Sequence, residues 1–226
     1  FRLGYLSLPK RSVAEQLTWA CANAIAQKLP SHEAIPKELS NLKAELAATF
    51  YANLSVFRSA PDCWAIDQLF PLLPIHRLNE APEQLGHFAD LTCDSDGKLA
   101  RFITNGQSKP LLELHALNPG EPYWIGLFLG GAYQEVMGNL HNLFGATNAV
   151  HIRLSPSSGY QVDHVVRGDT NAEVLKVMEH DPEVLLERLR VTSEVAIQKG
   201  SLKIHEARRL MDHLETSLRQ TTYLHS

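Results

Sequence analysis

The stretch Leu91-Thr-Cys-Asp-Ser-Asp-Gly97 is the point around which the predicted fold is organised. Before it, residues 86–92 read as a half-buried strand, and after it the order Ser-Asp-Gly-Lys is typical of a turn in which Gly97 is free to take a positive φ. The stretch therefore places a thiol, Cys93, and a carboxylate, Asp94, at the end of a strand. Either Cys93 is a small buried hydrophobic residue beside turn-forming aspartates, or the thiol and the carboxylate form a reactive pair.

Short apolar runs separated by turn residues surround this stretch and predict strands. They cover residues 51–57, 72–78, 99–103, 111–117, 123–129, 148–154 and 160–166. The breaks include Asn105-Gly106 and Asn118-Pro-Gly120, and Ser155-Pro-Ser-Ser-Gly159 joins the last two runs as a hairpin. Strands spaced in this way predict an antiparallel sheet that closes toward a barrel or a sandwich.

Helical periodicity predicts helices at both ends of the chain. Residues 12–29, with Ser12 and Glu15 as a capping box, and residues 37–50, opened by Pro36, are expected to form a helical hairpin. Three further helices are expected over residues 170–180, 182–199 and 201–219, begun by Asp169 or Thr170, by Asp181 and by Ser201. The expected fold class is α+β. Its expected parts are residues 1–50 (helical segment), 51–167 (β domain) and 168–226 (C-terminal helical domain).

Composition narrows the class of protein. The chain has 226 residues and a formal net charge of −4, with 44% hydrophobic and 20% charged residues, as expected of a globular protein. No basic run suggests nucleic acid as a partner, and no apolar run has the ~20 residues that span a membrane. The three cysteines form no CxxC pair, so a reducing cytoplasm is expected. Because Phe1 stands where a Met would begin a protein, the chain is expected to start inside a longer polypeptide.

Several segments, in order, resemble the C-terminal third of biosynthetic arginine decarboxylases. They are Tyr51-Ala-Asn-Leu-Ser-Val-Phe-Arg-Ser-Ala-Pro-Asp-Cys-Trp-Ala-Ile-Asp-Gln-Leu-Phe-Pro71, Leu91-Thr-Cys-Asp-Ser-Asp-Gly97, Gly130-Gly-Ala-Tyr-Gln-Glu-Val-Met-Gly-Asn-Leu-His-Asn-Leu-Phe-Gly145, Gly168-Asp-Thr170, Asp181-Pro-Glu183 and Thr222-Tyr-Leu224. The resemblance covers essentially the whole chain.

The resemblance implies a pyridoxal-phosphate-dependent enzyme with an alanine-racemase-like architecture. It implies conversion of L-arginine to agmatine and CO2 for polyamine synthesis, and a cofactor lysine on an N-terminal β/α barrel that is missing from this chain. None of the nine lysines present stands in a context resembling the cofactor-binding segment, so this chain alone is expected to be inactive. The family further implies a homodimer or larger homo-oligomer, in which the Cys-bearing loop completes the neighbouring subunit's active site, and it also allows Mg²⁺.

The resemblance assigns roles to four residues. Cys93 matches the residue that protonates Cα after CO2 leaves, and Asp94 matches an acid that contacts the distal end of the substrate. A thiol can give a proton near neutrality, and a carboxylate complements a guanidinium. Asp96 either touches substrate or only caps the turn. Tyr133 matches a tyrosine that approaches the cofactor phosphate, and the Gly130-Gly131 pair before a helix predicted over residues 133–144 leaves backbone N–H groups that suit an anion.

Two rival functions stay open. The related ornithine enzymes have an acid where this chain has Leu54, so a decarboxylase for another diamino acid is possible. A non-catalytic homologue that binds and regulates a partner decarboxylase is the other alternative. No spacing typical of a metal site occurs among the histidines, and His141 and His151 are expected to be structural.

Overall fold

The computed structural model describes residues 1–29, 39, 41–104 and 107–225, and the chain divides into two compact units. Unit 1 combines Phe1–Phe50, Leu69–Ala89 and Lys98–Phe128. Unit 2 combines Tyr51–Gln68, Asp90–Gly97 and Leu129–Ser226. Both units are assembled from segments that are far apart in the sequence. The division into residues 1–50, 51–167 and 168–226 stays a prediction.

Unit 1 contains two helices and several short strands. They are α1 (Leu8–Lys28), α2 (Leu42–Glu45), β1 (Ala48–Tyr51), β2 (Leu72–Pro74), β3 (Gln84–Ala89), β4 (Lys98–Leu99), β5 (Phe102–Thr104), β6 (Gln107–Lys109), β7 (Leu112–Leu114) and β8 (Ile125–Leu127). The main sheet is centred on β3, which pairs with β1, β4 and β7, and two further two-stranded sheets join β2 to β8 and β5 to β6. The buried side chains of unit 1 include Phe50, Phe88, Phe102, Leu112 and Leu114.

The mixed α and β content confirms the α+β prediction, but the predicted closed barrel is wrong for the part of the chain that the structure describes. The described strands form one four-stranded sheet and three pairs, and none of these sheets closes on itself. In unit 1 the strands are two to six residues long, and their ladders are interrupted by loops. Strands of that length give too few ladder hydrogen bonds to carry a continuous sheet around a barrel.

The N-terminal helix differs from its prediction at its start. α1 begins at Leu8 after Ser7, with Pro9 in its first turn, so the predicted Ser12 cap is wrong. Glu15 instead accepts a hydrogen bond from Arg11 at 2.6 Å. Proline suits a first helical turn because its missing N–H has no intrahelical partner there. No side chain of α1 is buried.

The predicted partner helix over residues 37–50 is wrong in its second half. The described residues show only the single turn of α2, and β1 begins at Ala48. The strand predicted over residues 51–57 is also wrong. Only Tyr51 belongs to a strand, β1, and residues 56–59 are helical. The signals at Pro36 and at Asn105-Gly106 lie outside the described residues.

Unit 2 holds the β-hairpin and the C-terminal helices. Its elements are α3 (Val56–Ser59), α4 (Asp62–Ala65), α5 (Gln134–Met137), β9 (Ala149–Ser155), β10 (Gly159–Val166), α6 (Asn171–Val177), α7 (Pro182–Gln198) and α8 (Ile204–Arg219). The hairpin is confirmed, with Gly159 paired to Ser155 at its closed end. Gly159 has φ +76°, a conformation that suits glycine because it has no Cβ.

The C-terminal helical module is confirmed together with two of its caps. Thr170 and Glu173 form a capping box at α6, and the Asp181 side chain accepts from Glu183 N–H at the start of α7. The last helix begins at Ile204, and its cap residue is Lys203, two residues after the predicted start at Ser201. None of the described helices combines the length and the apolar character that crossing a membrane requires.

Candidate functional site

The Cys93 turn is a short, exposed segment of unit 2. It ends in a 3-10 turn, Ser95–Gly97, in which Gly97 N–H donates to the Asp94 carbonyl at 3.1 Å and Asp96 N–H donates to Asp94 Oδ1 at 3.0 Å. Cys93, Asp94 and Asp96 are all exposed. The thiol and both carboxylates therefore reach solvent, while one Asp94 oxygen also shapes the turn.

A buried carboxylate, Asp90, anchors this turn. Its side chain is 2% exposed and accepts three hydrogen bonds, from Thr92 N–H at 2.8 Å, Thr92 Oγ1 at 2.7 Å and Val56 N–H at 2.9 Å. Its own N–H donates to the Gly97 carbonyl at 2.9 Å. Asp90 thus closes the turn and ties it to the start of α3, which satisfies the requirement that a buried charge be hydrogen-bonded.

Gly97 is required by close approach and does not have the positive φ that the sequence allowed. A Cβ at this position would collide with Asp90 Oδ1 and crowd Thr92 Oγ1. Gly97 is buried and is not among the glycines with positive φ. The glycine therefore makes room for the carboxylate that anchors the turn.

The segment His141-Asn142 faces Cys93 and Asp94. Cys93 N–H donates to Asn142 Oδ1 at 3.1 Å, and Asn142 Nδ2 donates to Cys93 Sγ at 3.5 Å. His141 Nε2 lies 3.8 Å from Asp94 Oδ2 and has no hydrogen-bond partner among the described residues. The expectation of a structurally satisfied histidine is therefore wrong for His141. His151 lies on the exposed β9, opposite His164 of β10.

The helix predicted over residues 133–144 is broken at Gly138. α5 is a single turn, and a second short turn covers His141–Leu143. A Cβ on Gly138 would collide with the Arg58 carbonyl, and Asn139 N–H donates to the Phe57 carbonyl at 3.0 Å. Packing against α3 therefore replaces the expected helix with a tight loop that carries His141 and Asn142.

Tyr133 is the cap residue immediately before α5 in unit 2, with φ 63° and 74% of its surface exposed. The buried Gln134 beside it donates to Asp62 Oδ2 at 2.6 Å and accepts from Asp62 N–H at 3.2 Å, which fixes the start of α5 against α4. Among the described residues, no hydrogen bond or ion pair joins Tyr133 to the Cys93 turn. A helix of four residues is too short to provide the anion site predicted at Gly130-Gly131.

The C-terminal tail binds two of the segments that carried the resemblance. Asn53 and Leu224 exchange two hydrogen bonds of 2.9 Å, and Gly145 N–H donates to Thr222 Oγ1 at 2.9 Å. The Tyr223 hydroxyl donates to the Gly145 carbonyl at 2.8 Å, and burial raises the pKa of Tyr223 to about 12. Four segments that are distant in the sequence thus belong to the same compact unit, unit 2: residues 51–68, 90–97, 134–146 and 221–224.

The three cysteines have different environments. Burial, and secondarily the neighbouring Asp62 charge, raises the pKa of the Cys63 thiol to about 11. Cys63 therefore stays protonated and unreactive at neutral pH, since the thiolate is the nucleophile. Cys21 and Cys93 are exposed. Of these two, only Cys93 belongs to unit 2, where it stands beside an exposed carboxylate.

The structure thus brings Cys93, Asp94 and Asp96 together in one turn and places Tyr133 elsewhere in the same unit. Sequence reasoning missed Asp90 and Asn142. The burial of Asp90 could have been predicted, because alternate residues of a strand share one face and Asp90 lies on the same face as the buried Gly86 and Phe88. Asn142 carried no signal beyond its place in the Gly130–Gly145 segment. The described residues contain no group of three or more His, Cys, Asp or Glu that could hold a metal ion.

Comparisons with known proteins agree with this arrangement of segments. The model of the arginine decarboxylase helical bundle domain matches residues 1–43, and that of the arginine decarboxylase C-terminal helical extension matches residues 172–224. A biosynthetic arginine decarboxylase from Prochlorococcus marinus (strain MIT 9303) is 74% identical over 224 residues, which is 99% of this chain and 35% of the relative. One from Nostoc sp. (strain PCC 7120) is 54% identical over 226 residues, 100% of this chain and 33% of the relative.

The fold is also that of a solved relative. The crystal structure of the biosynthetic arginine decarboxylase from Campylobacter jejuni superposes with a TM-score of 0.76 at 30% identity, covering 100% of this chain and 35% of that chain. The chain therefore spans about a third of the length of the curated relatives it matches. Along almost all of its length the chain is therefore similar to the C-terminal part of biosynthetic arginine decarboxylases, and both of its ends match models of arginine decarboxylase domains.

Proposed function

We propose that this chain is the C-terminal part of an enzyme that converts L-arginine to agmatine and CO2 in polyamine biosynthesis, with pyridoxal phosphate as its cofactor. One observation carries the proposal: the exposed Cys93-Asp94 pair stands on a turn anchored by the buried Asp90, in a chain similar to biosynthetic arginine decarboxylases. A thiol that served only packing would be buried, as free cysteines usually are.

The reaction needs a proton donor at Cα. Breaking the bond between Cα and the carboxylate carbon releases CO2 and leaves the bonding electron pair on Cα, which must then take up a proton. Cys93 Sγ donates that proton, and the resulting thiolate regains one from solvent, so the sum is arginine plus one proton giving agmatine plus CO2. Its exposure supports this cycle, because water can reach the sulfur between turnovers.

The carboxylates beside Cys93 suit the other end of the substrate. Asp94, an exposed residue, binds the guanidinium group of arginine through charge-assisted hydrogen bonds, and its Oδ2 lies 3.8 Å from His141 Nε2. Asp96 adds negative charge to the same turn and is the second candidate for this contact. Because the Leu54 side chain carries no charge, no substrate-binding acid is assigned there, and the preference for arginine rests on the overall similarity to arginine decarboxylases.

Pyridoxal phosphate, when bound, supplies the electron sink for loss of CO2. In this chain Tyr133 would hold it, with its exposed hydroxyl donating to the phosphate, and the Gln134–Asp62 pair keeps the start of α5 in place for that contact. The lysine that attaches the cofactor belongs to the β/α barrel of the complete enzyme. Since no group of potential ligands is found among the described residues, none is proposed for Mg²⁺.

Because Cys93 and Asp94 are exposed, they could also act in the active site of a neighbouring subunit. We infer that the complete enzyme is a homodimer or a larger homo-oligomer, in which the Cys93 turn of one subunit completes the active site of the next. This chain alone is then inactive. Three cysteines that are all free support a reducing, cytoplasmic setting.

Replacing Cys93 in the complete decarboxylase tests the proposal. Cys93→Ala is expected to lower kcat for arginine about 100-fold, or to divert protonation and yield an aldehyde by-product, while folding and cofactor uptake stay nearly intact. Cys21→Ala, an exposed cysteine in unit 1, is the matched control and should change neither quantity. The measurements are agmatine and aldehyde by chromatography and cofactor uptake by absorbance.

Three outcomes would count against the proposal. Unchanged agmatine formation by Cys93→Ala would remove the thiol from the mechanism. Faster turnover of ornithine or lysine than of arginine by the unmodified enzyme would favour the alternative substrate class. A complete protein that decarboxylates none of the three would favour the regulatory homologue.

A further inference from the structure

The side chain of Asn142 holds Cys93 at two points. Its Oδ1 accepts from Cys93 N–H at 3.1 Å, and its Nδ2 donates to Cys93 Sγ at 3.5 Å. The first bond settles the orientation of the amide, because only the oxygen can accept from a backbone N–H. The amide N–H must then face the sulfur. Asn142 therefore fixes both the backbone and the thiol of the same residue.

Asn142 reaches this position through an unusual backbone conformation. It has φ 54° and ψ 24°, and the next residue, Leu143, also has a positive φ of 61°. Left-handed conformations at two successive residues other than glycine are costly, and asparagine is among the residues that tolerate this region best. The surrounding contacts must therefore hold this strained pair in place.

Those contacts come from the loop itself and from α3. His141 N–H donates to Asn139 Oδ1 at 2.9 Å, and Leu143 N–H donates to the Leu140 carbonyl at 2.8 Å. The His141 ring packs on the buried Phe57 ring, with centroids 4.3 Å apart. Such local support is expected where a strained segment positions a functional group.

We propose that Asn142 is the positioning residue of the Cys93 thiol, which it directs by a hydrogen bond to the sulfur. The inference rests on the proposed function of Cys93. Because the amide donates to Sγ, the S–H proton is left free to point away from Asn142. When that proton is transferred to Cα, the same amide N–H stabilises the negative charge that develops on the sulfur. The backbone bond at Oδ1 keeps this geometry while the proton moves.

Two substitutions separate the two contacts. Asn142→Asp keeps an oxygen acceptor for Cys93 N–H and tolerates the left-handed conformation, but it replaces the donor with a carboxylate. Asn142→Gly keeps the backbone conformation and removes both contacts. Asn23→Asp introduces the same charge at an exposed position of α1 and is the matched control. All variants are made in the complete decarboxylase.

We expect both Asn142 variants to lower kcat about 10-fold or more, with KM for arginine changed less than about twofold. The fraction of turnovers that end in the aldehyde by-product rises. In the enzyme prepared without cofactor, iodoacetamide modifies Cys93 about threefold more slowly, because the donor that stabilises the thiolate is lost, while modification of Cys21 is unchanged. In a Cys93→Ala background, Asn142→Asp has no further effect, since both changes remove the same interaction.

Two results would overturn this role. In the first, both Asn142 variants have normal kcat, normal product partition and normal Cys93 alkylation, while Cys93→Ala is impaired. That result would reject the role of Asn142 and leave the proposed function of Cys93 standing. The other is a full additional loss from Asn142→Asp in the Cys93→Ala background, which would show that Asn142 acts independently of the thiol. If Cys93→Ala itself is fully active, the proposed function of the thiol fails first.

Discussion

At the scale of single residues, Asp90 has the greatest structural consequence for the site. Asparagine in its place can accept through one oxygen only, so a donor of Val56 or Thr92 would face an N–H group instead. Asp90→Asn is therefore expected to lower the free energy of unfolding by about 2 kcal/mol, the usual cost of an unsatisfied buried group. Urea unfolding followed by fluorescence measures this loss.

An exposed aspartate provides the comparison for Asp90. Asp212 on α8 has a side chain that is 70% exposed, and Asp212→Asn should change stability by less than about 0.5 kcal/mol. Equal stability of Asp90→Asn and Asp212→Asn would show that the three bonds to Asp90 contribute nothing net. In the complete decarboxylase, Asp90→Asn should also lower turnover, because the anchored turn carries Cys93.

Residue-level prediction succeeded where the signal was local. The order Cys-Asp-Ser-Asp-Gly predicts a turn that carries a thiol and carboxylates, and the structure has a turn at Ser95–Gly97. Asn142 contacts Cys93 from 49 residues away, and no periodicity or spacing connects two such positions. Their contact exists only because packing against α3 places the loop there.

At the scale of elements, the Thr170 capping box is the clearest case of local chemistry that fixes a helix start. Thr170 Oγ1 accepts from Glu173 N–H at 3.2 Å, and Glu173 accepts from Thr170 N–H at 2.7 Å, a bond that lowers the pKa of Glu173. Thr170→Ala removes the first bond and should cost about 1 kcal/mol of stability. Thermal unfolding followed by circular dichroism measures it.

Thr192 supplies the control for this cap. It lies within α7, where its hydroxyl donates to the Arg188 carbonyl at 2.8 Å, a position from which threonine adds little to helix stability. Thr192→Ala should therefore leave the melting temperature nearly unchanged or raise it slightly. A loss as large as that of Thr170→Ala would contradict the assignment of Thr170 as the decisive cap.

Helices and strands were predicted correctly where neighbouring residues determine them. The hairpin β9–β10 and the starts of α6 and α7 follow from turn residues and caps, and the structure confirms them. The helix expected over residues 133–144 has good helical spacing, yet Gly138 must lie against the Arg58 carbonyl. That close approach is a tertiary requirement, and it overrides the local preference for a helix.

At the scale of the whole molecule, each of the two compact units combines segments that are distant in the sequence. Segments that complete one another across such distances cannot be recognised from hydrophobic patterns, which record only whether a residue faces a core. The predicted closed barrel is wrong for the described residues, because strand pairing is also a matter of distant contacts. Apolar runs identified many of the strands, but the pairing of β3 with β1, β4 and β7 depends on contacts between distant parts of the chain.

The C-terminal tail allows a test of how distant segments stabilise the molecule, because the Tyr223 hydroxyl bonds the end of the chain to the Gly145 carbonyl. The pKa of Tyr223 is raised from 10.0 to about 12, chiefly by burial, so the protonated hydroxyl is favoured in the folded state. Its contribution to stability is therefore fully present below about pH 10 and is lost as the pH rises toward 12. Tyr223→Phe has no hydroxyl to ionise and lacks this pH dependence.

We expect Tyr223→Phe to be about 1 kcal/mol less stable than the unmodified chain at pH 8, since the hydrogen bond to the Gly145 carbonyl is lost. Between pH 10 and pH 12 the unmodified chain should lose more stability than the variant, so the difference shrinks or reverses. Urea unfolding of both proteins at pH 8, 10 and 11 measures the change. Tyr160→Phe, which changes an exposed tyrosine of β10 and keeps Tyr223, is the control and should lose stability with pH as the unmodified chain does. A reduced pH dependence like that of Tyr223→Phe in this control would contradict a special role for Tyr223.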